Sequence, residues 1–281
     1  MRLKVRAAFQ GHMLPGYAFI KTHKVGGTTV TQLLQRALPE TKNATQCDNR
    51  DVSRVPTCRA CLTHTTYVQI ARAIRDPSST LAQRAVRTNC PFWVPERRVL
   101  SMIMVREPAD KAYAHYHYER DNGWCRSRAD GLGLNGCASD HLPFVDWLMA
   151  PSTLLRQKRL LRTNPLPLLA ETVHVLGGEA GYPEALRVLK TITVVGVTDR
   201  FNDTLTALAR GWKMPLDTLK KHYAPRNVHT KPRDALNHSF KAHLVAHNRF
   251  LRLEDKLYQY ALRRLDCVAG CPEGPAKCWC V

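Results

Sequence analysis

Residues 24–29 have the types and the spacing of an anion-binding turn, Lys-Val-Gly-Gly-Thr-Thr. The apolar run 17–20 before them predicts a buried strand, and the apolar spacing of residues 30–38 after them predicts a helix. A turn that opens a helix directs several backbone N–H groups at one point, where the helix N-terminus adds a partial positive charge. Gly26 and Gly27 let the backbone approach an anion closely, and the lysine adds a full charge. The sequence therefore predicts a phosphate or sulfate site at this turn.

This turn differs from a Walker A loop, because no Gly-Lys-Ser/Thr ending closes it. It also has a plainer interpretation. A tight connection between a strand and a helix, with incidental glycines, would show the same residues, and for a Gly-Gly pair alone this is the more common case. The hydroxyl groups of Thr28 and Thr29 add donors for an anion, which favours the binding site.

A second candidate site follows the strongest strand pattern of the chain, residues 99–105. Arg106 stands at the carboxyl end of that strand, and Pro108 suits the first turn of a helix. Ligands of open parallel sheets bind at this edge, and a guanidinium there can hold a phosphate with two hydrogen bonds. Lys111 and Tyr113 on the helix can add to the contact. The alternative is that Arg106 pairs with a carboxylate at the end of the strand.

Strands alternate with helices along the rest of the chain. Residues 192–197 predict a third strand, and residues 199–212 predict the helix after it. Further helices are expected over 67–74, 143–149, 154–161, 183–189 and, as one long element, 235–265; loops are expected over 39–61, 75–98 and 123–136. This order predicts an α/β fold with a parallel sheet flanked by helices.

The chain is strongly basic. Its 281 residues carry 42 Lys and Arg against 23 Asp and Glu, a formal net charge of +19. A surplus of this size indicates an acidic partner: nucleic acid, anionic lipid, a polyanionic glycan or a nucleotide with several phosphates. The charge does not choose among these partners, and a solvated basic surface would explain it equally well. The length suits one large domain with a substantial core.

Ten cysteines are many for a cytosolic protein of this length. Their even number and their clustering near the C-terminus predict disulfides, and hence an oxidising compartment, without fixing the pairing. Cys58 and Cys61 would alternatively suit half of a zinc site, but no second Cys-x-x-Cys pair stands at the usual distance. Asn-x-Ser/Thr triplets at Asn43, Asn202 and Asn237 are glycosylation acceptors if the chain enters the secretory pathway.

The sequence contains no apolar run of the length, about 18 residues, that a membrane span requires. Residues 1–16 lack the apolar centre of a signal peptide. A lumenal location, which the cysteines favour, would therefore require a targeting segment or an anchor that this chain does not carry.

Taken together, the two candidate sites resemble a known family. Residues 19–29, Phe-Ile-Lys-Thr-His-Lys-Val-Gly-Gly-Thr-Thr, are similar to the 5′-phosphosulfate loop of Golgi carbohydrate sulfotransferases, where galactose-3-O-sulfotransferases carry Lys-Thr-His-Lys-Thr-Gly. Residues 105–118 resemble the family's 3′-phosphate motif, an Arg-x-Pro followed by a helix rich in aromatic residues. Residues 61–67, with His64, resemble the short histidine segment of the galactose-3-O- and uronyl 2-O-sulfotransferases. Residues 195–205 look like the late strand–helix unit of the family.

The resemblance extends over most of residues 17–265, since residues 253–260 also look like the family's C-terminal helix. It implies one sulfotransferase domain over 17–265, with a P-loop-like parallel sheet that binds PAPS (3′-phosphoadenosine 5′-phosphosulfate). An N-terminal extension over 1–16 and a Cys-rich tail over 266–281 would lie outside that domain. The implied reaction transfers a sulfuryl group to a glycan hydroxyl in the Golgi lumen, without a metal, and leaves adenosine 3′,5′-bisphosphate.

The resemblance also implies roles for individual residues. Lys24 would act on the sulfate and the bridging oxygen, and the amides of residues 26–29 would hold the 5′-phosphate. Arg106, assisted by Lys111, would hold the 3′-phosphate. The residues expected to bind the nucleotide are Lys21, Lys24, Val25, Gly26, Gly27, Thr28, Thr29, Arg106 and Lys111.

A base must take the proton of the acceptor hydroxyl, and histidine is the usual choice near neutral pH. His64 matches the base segment of the family and is the first candidate. His23, which adjoins the turn, is the next. His115 and His117 would line the acceptor cleft.

The chain departs from the family pattern at Ala114, where the 3′-phosphate motif usually has a serine. The missing hydroxyl removes one phosphate hydrogen bond, worth about 1–3 kcal/mol, so binding should depend more on Arg106 and Lys111. The basic insert before residue 99 and the missing anchor are further departures.

Two other functions match parts of the pattern. An ATP or GTP phosphotransferase would share the turn, but it needs a Mg²⁺-holding aspartate after an apolar strand, and residues 99–105 end in Arg-Glu-Pro. A non-enzymatic basic module would bind nucleic acid or heparin-like chains, although no recognisable nucleic-acid-binding motif is present.

Overall fold

The computed structural model describes residues 16–20, 22–38, 60–61, 99–121, 123–161, 170–224 and 235–271. The strands are β1 (Gly16–Ile20), β2 (Ala60–Cys61), β3 (Val99–Val105) and β4 (Val194–Val197). They form one parallel sheet in the order β2-β1-β3-β4. This confirms the predicted α/β fold with a parallel sheet. The two-residue β2 falls inside the predicted loop 39–61, because a strand this short leaves no pattern in the sequence.

The helices account for most of the other described residues. In chain order they are α1 (Gly27–Ala37), α2 (Pro108–Asp121), α3 (Gly123–Gly131), α4 (Ala138–His141), α5 (Phe144–Met149), α6 (Ser152–Gln157), α7 (Glu171–Gly177), α8 (Tyr182–Thr191), α9 (Phe201–Trp212), α10 (Leu216–His222), α11 (His238–His247) and α12 (Arg249–Gly270). Short 3₁₀ turns at Gly178–Ala180 and Thr198–Arg200 join α7 to α8 and β4 to α9.

The register of the sheet brings three strand ends to one edge. Ile20 pairs with Ile103 across β1 and β3, and Val105 pairs with Val197 across β3 and β4. Two threonine hydroxyls hold the segments that leave the strands: Thr22 donates to the carbonyl of Met104 at 3.5 Å, and Thr198 donates to that of Val105 at 3.1 Å. The turn after β1, the residue after β3 and the residue after β4 therefore meet at this edge.

The core consists of two apolar clusters. The first surrounds the sheet, whose central strands are mostly apolar and buried, as in other parallel sheets. The second lies among α2, α4, α5, α6 and α11. Helix α12 joins the two, because Leu251 packs in the second cluster while Leu257 and Leu265 pack in the first.

Two of the predicted boundaries are wrong. Residues 123–131, predicted as part of a loop, form α3, in which Ala129 and Cys125 are buried. Cys125 is joined to Cys137 by a disulfide, which anchors this glycine-rich segment in helical form. The single helix expected over 235–265 is two helices, because the side chain of Asn248 accepts from the N–H groups of Phe250 and Leu251 and starts α12 anew.

The described cysteines confirm the expected disulfides in part. Cys267 and Cys271 are disulfide-bonded, as are Cys125 and Cys137. Within the described ranges, no helix combines the length and the apolar character that crossing a bilayer requires.

Strand β4 contains a glycine, Gly196, at a position where there is no room for a larger side chain. Gly196 stands opposite Met104 of β3, and a Cβ at this position would lie 2.5 Å from Met104 Sδ and 2.4 Å from Thr204 Cγ2. Thr204 on α9 cannot move away freely, because its Oγ1 accepts from the N–H of Val197 at 2.9 Å and donates to the carbonyl of Val197 at 3.1 Å.

We expect Gly196→Ala to destabilise the protein by about 1–3 kcal/mol through overpacking. The matched control is Gly131→Ala, because a Cβ at that helical glycine meets nothing within 4 Å and alanine favours helix. Urea unfolding would measure both variants. A Gly196→Ala protein as stable as the Gly131→Ala protein would show that β4 is not packed in this way.

Candidate functional site

The turn between β1 and α1 has a strained backbone. Lys24 has a φ angle of 56° and Gly26 one of 74°, so both lie in the left-handed region. Glycine adopts this conformation readily, whereas for lysine it costs about 1–2 kcal/mol, a strain found mainly at functional sites. Gly26 is the N-cap of α1, and the first turn of that helix holds no acidic residue. An anion placed here would face the positive end of the helix dipole.

Arg106 contacts this turn directly. Its Nη1 donates to the carbonyl oxygen of Lys24 at 3.2 Å, so the two segments predicted to bind the nucleotide share one edge. Among the residues that the structure describes, its Nε is buried without a hydrogen-bond partner. A buried donor without an acceptor costs about 1–3 kcal/mol. An anionic ligand at this edge would supply the acceptor.

The ammonium of Lys24 lies over an aromatic ring of the helix that follows Arg106. Its Nζ is 3.1 Å from the centroid of the Tyr118 ring, and Tyr118 is exposed on α2. A cation–π contact at an exposed site is worth about 0.5–1 kcal/mol. A charge-assisted hydrogen bond to an anion is worth about 1.5–3 kcal/mol, so a ligand can draw the ammonium away from the ring.

Lys111 does not face the turn. Its side chain is 5% exposed, and its Nζ lies 3.2 Å from Glu171 Oε2 and 3.5 Å from Glu254 Oε2. Burial acts to lower the pKa of this ammonium, but the charges of Glu254 and Glu171 outweigh it and raise the pKa above its usual value. Lys111, Glu171 and Glu254 thus form a buried ion cluster. Lys111, which was predicted to contact the 3′-phosphate, is a member of this cluster.

His23 connects the turn to that cluster. Its backbone N–H donates to Glu171 Oε2 at 2.9 Å, and its ring Nδ1 lies 2.6 Å from Glu171 Oε1. Burial would raise the pKa of Glu171, but the charge of Lys111 and the hydrogen bonds from His23 lower it to about 2. Glu171 is therefore a carboxylate throughout the neutral range.

Glu171 and Glu254 are the site residues that the sequence did not reveal. They stand 148 residues after His23 and 143 residues after Lys111, on helices α7 and α12. Glu254 also accepts from the N–H of Val173 at 2.9 Å, which fixes α7 against α12. In the sequence, each stands out only as an acidic residue on the buried face of a helix. The spacing along the chain does not show that either helix packs near the turn.

The histidines expected to line an acceptor cleft lie instead within the second apolar cluster. His115 and His117 are each 7% exposed. His115 Nε2 is 3.4 Å from Glu119 Oε1, and Glu119 Oε2 accepts from the indole N–H of Trp147 at 3.0 Å. The His117 ring lies edge-on to Tyr113, 4.4 Å between centroids. Both rings pack among aromatic neighbours.

The other predicted site residues are distributed as follows. Lys21 and His64 lie outside the described residues. The Val25 side chain is fully buried in the first cluster, so only its backbone can face a ligand. Gly27 and Thr29 are buried at the start of α1, and Thr28 is half-buried between them. The structure thus brings the turn, Arg106 and His23 together.

Within the described ranges, no three His, Cys, Asp or Glu side chains are arranged to hold a metal ion. Comparison of the chain with protein-family models, with curated proteins and with solved structures found no match. The resemblance to carbohydrate sulfotransferases therefore rests on the sequence motifs.

The strain at Lys24 can be measured by comparing two substitutions. Lys24→Ala keeps the strained φ angle, whereas Lys24→Gly relieves it, and both lose the contact with Tyr118. We expect the glycine variant to be more stable than the alanine variant by about 1 kcal/mol. At Arg187, an exposed residue within α8, the order should reverse, because glycine is the poorer helix former. Thermal unfolding of the four variants measures these differences. If the alanine variant were the more stable one at both positions, the left-handed conformation of Lys24 would be contradicted.

The ion cluster makes stability depend on pH. The pKa of Glu171 is about 2 in the folded protein and 4.5 when unperturbed, so its contribution is complete above pH 4.5 and is lost as the pH falls toward 2. We expect Glu171→Gln to be less stable than the wild type by about 3 kcal/mol at neutral pH, with the difference shrinking over that window. Urea unfolding at several pH values tests this. A difference that stays constant between pH 4.5 and pH 2 would contradict the cluster.

Proposed function

We propose that this protein is a PAPS-dependent sulfotransferase that transfers a sulfuryl group to a hydroxyl of a glycan. The observation that carries the proposal is the hydrogen bond from Arg106 to the carbonyl of Lys24. It joins a helix N-terminus, a lysine and an arginine at the carboxyl edge of a parallel sheet, where such sheets bind their ligands. Two separate cationic groups at one edge suit a nucleotide that carries charge at both its 5′ and its 3′ position.

Sulfuryl transfer needs in-line geometry and stabilisation of charge on the transferring oxygens. In the proposed complex the amides of residues 26–29 hold the 5′-phosphate, and Lys24 leaves Tyr118 to contact the sulfate and the bridging oxygen. The buried Nε of Arg106, which has no partner among the described residues, donates to the 3′-phosphate. With Lys111 held by carboxylates and no hydroxyl at Ala114, Arg106 carries most of the 3′-phosphate contact.

The fold, a disulfide and the net charge also agree with the proposal. The order of strand, turn and helix around β1 suits a P-loop-like sulfotransferase domain. The disulfide between Cys125 and Cys137 suits an oxidising compartment such as the Golgi lumen. The net charge of +19 suits an anionic glycan as acceptor as well as the donor nucleotide.

A Mg²⁺-dependent phosphotransferase is less well supported. The acidic residue after β3 is Glu107, whose carboxylate accepts from the N–H groups of Ala109 at 3.1 Å and Asp110 at 2.7 Å. These hydrogen bonds start α2. They occupy the carboxylate that would otherwise be the nearest candidate to hold Mg²⁺ after this strand.

Adenosine 3′,5′-bisphosphate, the product nucleotide, tests the donor site. We expect it to raise the melting temperature of the wild type and to bind Arg106→Ala about 10- to 100-fold more weakly, since a charge-assisted bond is lost. The control Arg187→Ala, on the exposed face of α8, should bind like the wild type. Calorimetry gives the affinities. A wild type that responds to ATP with Mg²⁺ and not to the bisphosphate would overturn the proposal.

Transfer itself is measured with labelled PAPS and a panel of glycan acceptors. Lys24→Ala and Arg106→Ala should each nearly abolish transfer, because each removes a charge that the transition state requires. His64→Ala should leave the affinity for the bisphosphate unchanged.

A further inference from the structure

One carboxylate holds His23 at two points. The backbone N–H and the ring Nδ1 contact the two oxygens of Glu171 at 2.9 Å and 2.6 Å. A side chain bound at its own backbone and at its ring by the same rigid group cannot rotate freely about its χ angles. The ring therefore has a fixed orientation with respect to the turn.

The same contact selects the tautomer of the ring. An ionised carboxylate only accepts hydrogen bonds, so Nδ1 carries the hydrogen, and the basic lone pair of the neutral ring lies on Nε2. Glu171 stays ionised because Lys111 of α2 lies 3.2 Å from it and is in turn held by Glu254 of α12. Within the described helices, α2 contributes Lys111 and α12 contributes Glu254 to the surroundings of the pair.

The pair has one buried and one accessible member. The side chain of Glu171 is 4% exposed, whereas that of His23 is 40% exposed. His23 directly precedes Lys24, the lysine of the proposed sulfate site. A buried carboxylate, an oriented imidazole and an adjacent reaction site form the arrangement of a general base.

On the basis of the proposed function, we propose that His23 is the catalytic base of the transfer and that Glu171 is its positioning residue. Nε2 of His23 takes the proton of the acceptor hydroxyl as the acceptor oxygen bonds to sulfur. The bond between sulfur and the bridging phosphate oxygen breaks, and adenosine 3′,5′-bisphosphate leaves with that electron pair. The imidazolium, stabilised by Glu171, then releases its proton to water.

This assignment differs from the expectation for His64 and is supported by the positions of the other candidates. His115 and His117 are each 7% exposed and pack among aromatic rings, against Trp147 and Tyr113 respectively. Among the described histidines, His23 is the one that directly precedes the turn 24–29.

Three variants test the pair: His23→Gln, Glu171→Gln and, as a matched control, His174→Gln, an exposed histidine on the helix that carries Glu171. His23→Gln and His174→Gln should bind adenosine 3′,5′-bisphosphate within about threefold of the wild type. His23→Gln should lower kcat about 10²- to 10⁴-fold and remove the rise of kcat with pH that deprotonation of the base produces. Glu171→Gln should lower kcat about 10- to 1,000-fold, because the amide no longer selects the tautomer. His174→Gln should match the wild type.

The outcomes separate this inference from the proposed function. A wild type that does not bind the bisphosphate defeats the proposed function. Normal binding together with a His23→Gln variant whose kcat and pH profile match the wild type defeats only the base assignment, and loss of the pH dependence in His64→Ala would then place the base there. If Glu171→Gln fails to fold, His23→Gln still decides the base, and Glu171→Asp tests positioning through partial recovery of kcat.

Discussion

The ion cluster of Lys111, Glu171 and Glu254 is the interaction on which the rest of the site depends. Three charges taken out of water are costly, and the arrangement is tolerable only because each ammonium or carboxylate has a partner of opposite charge or a backbone donor. Lys111 lies on α2, and the carboxylates lie on α7 and α12. The cluster therefore fixes three helices to one another, and through His23 it fixes the turn after β1 to all three.

The positive side chains at this edge have two kinds of described contact. Lys111 is balanced by two carboxylates, and Lys241 is balanced by Asp110. Arg106 instead donates one hydrogen bond to the backbone carbonyl of Lys24, and the ammonium of Lys24 contacts the face of the Tyr118 ring. Neither contact supplies a negative charge. The buried Nε of Arg106 can thus donate to the proposed nucleotide, while the ion cluster fixes the surrounding helices.

The sequence predicted those features that are determined by residues close together in the chain. The run 16–37 gave strand, turn and helix, because apolar spacing and two glycines encode them locally, and Arg106 followed from its place after an apolar strand. The buried role of Lys111 could not be predicted, since its partners are more than 50 residues away. The helix at 123–131 was missed because glycines suggested a loop, whereas a disulfide and burial of Cys125 outweigh that propensity. The break at Asn248 depends on one side-chain cap within an otherwise helical pattern.

Helix α12 has a consequence for the order in which the protein is built. It joins both apolar clusters, and its Glu254 completes the cluster 143 residues after Lys111 has been synthesised. In a nascent chain that ends before this helix, Lys111 lacks one of its two carboxylate partners. Both apolar clusters also lack the side chains that α12 contributes to them. The strands and the turn can form earlier, but this edge of the sheet reaches its final arrangement only after α12 has left the ribosome. The edge is thus completed late in the folding of this domain.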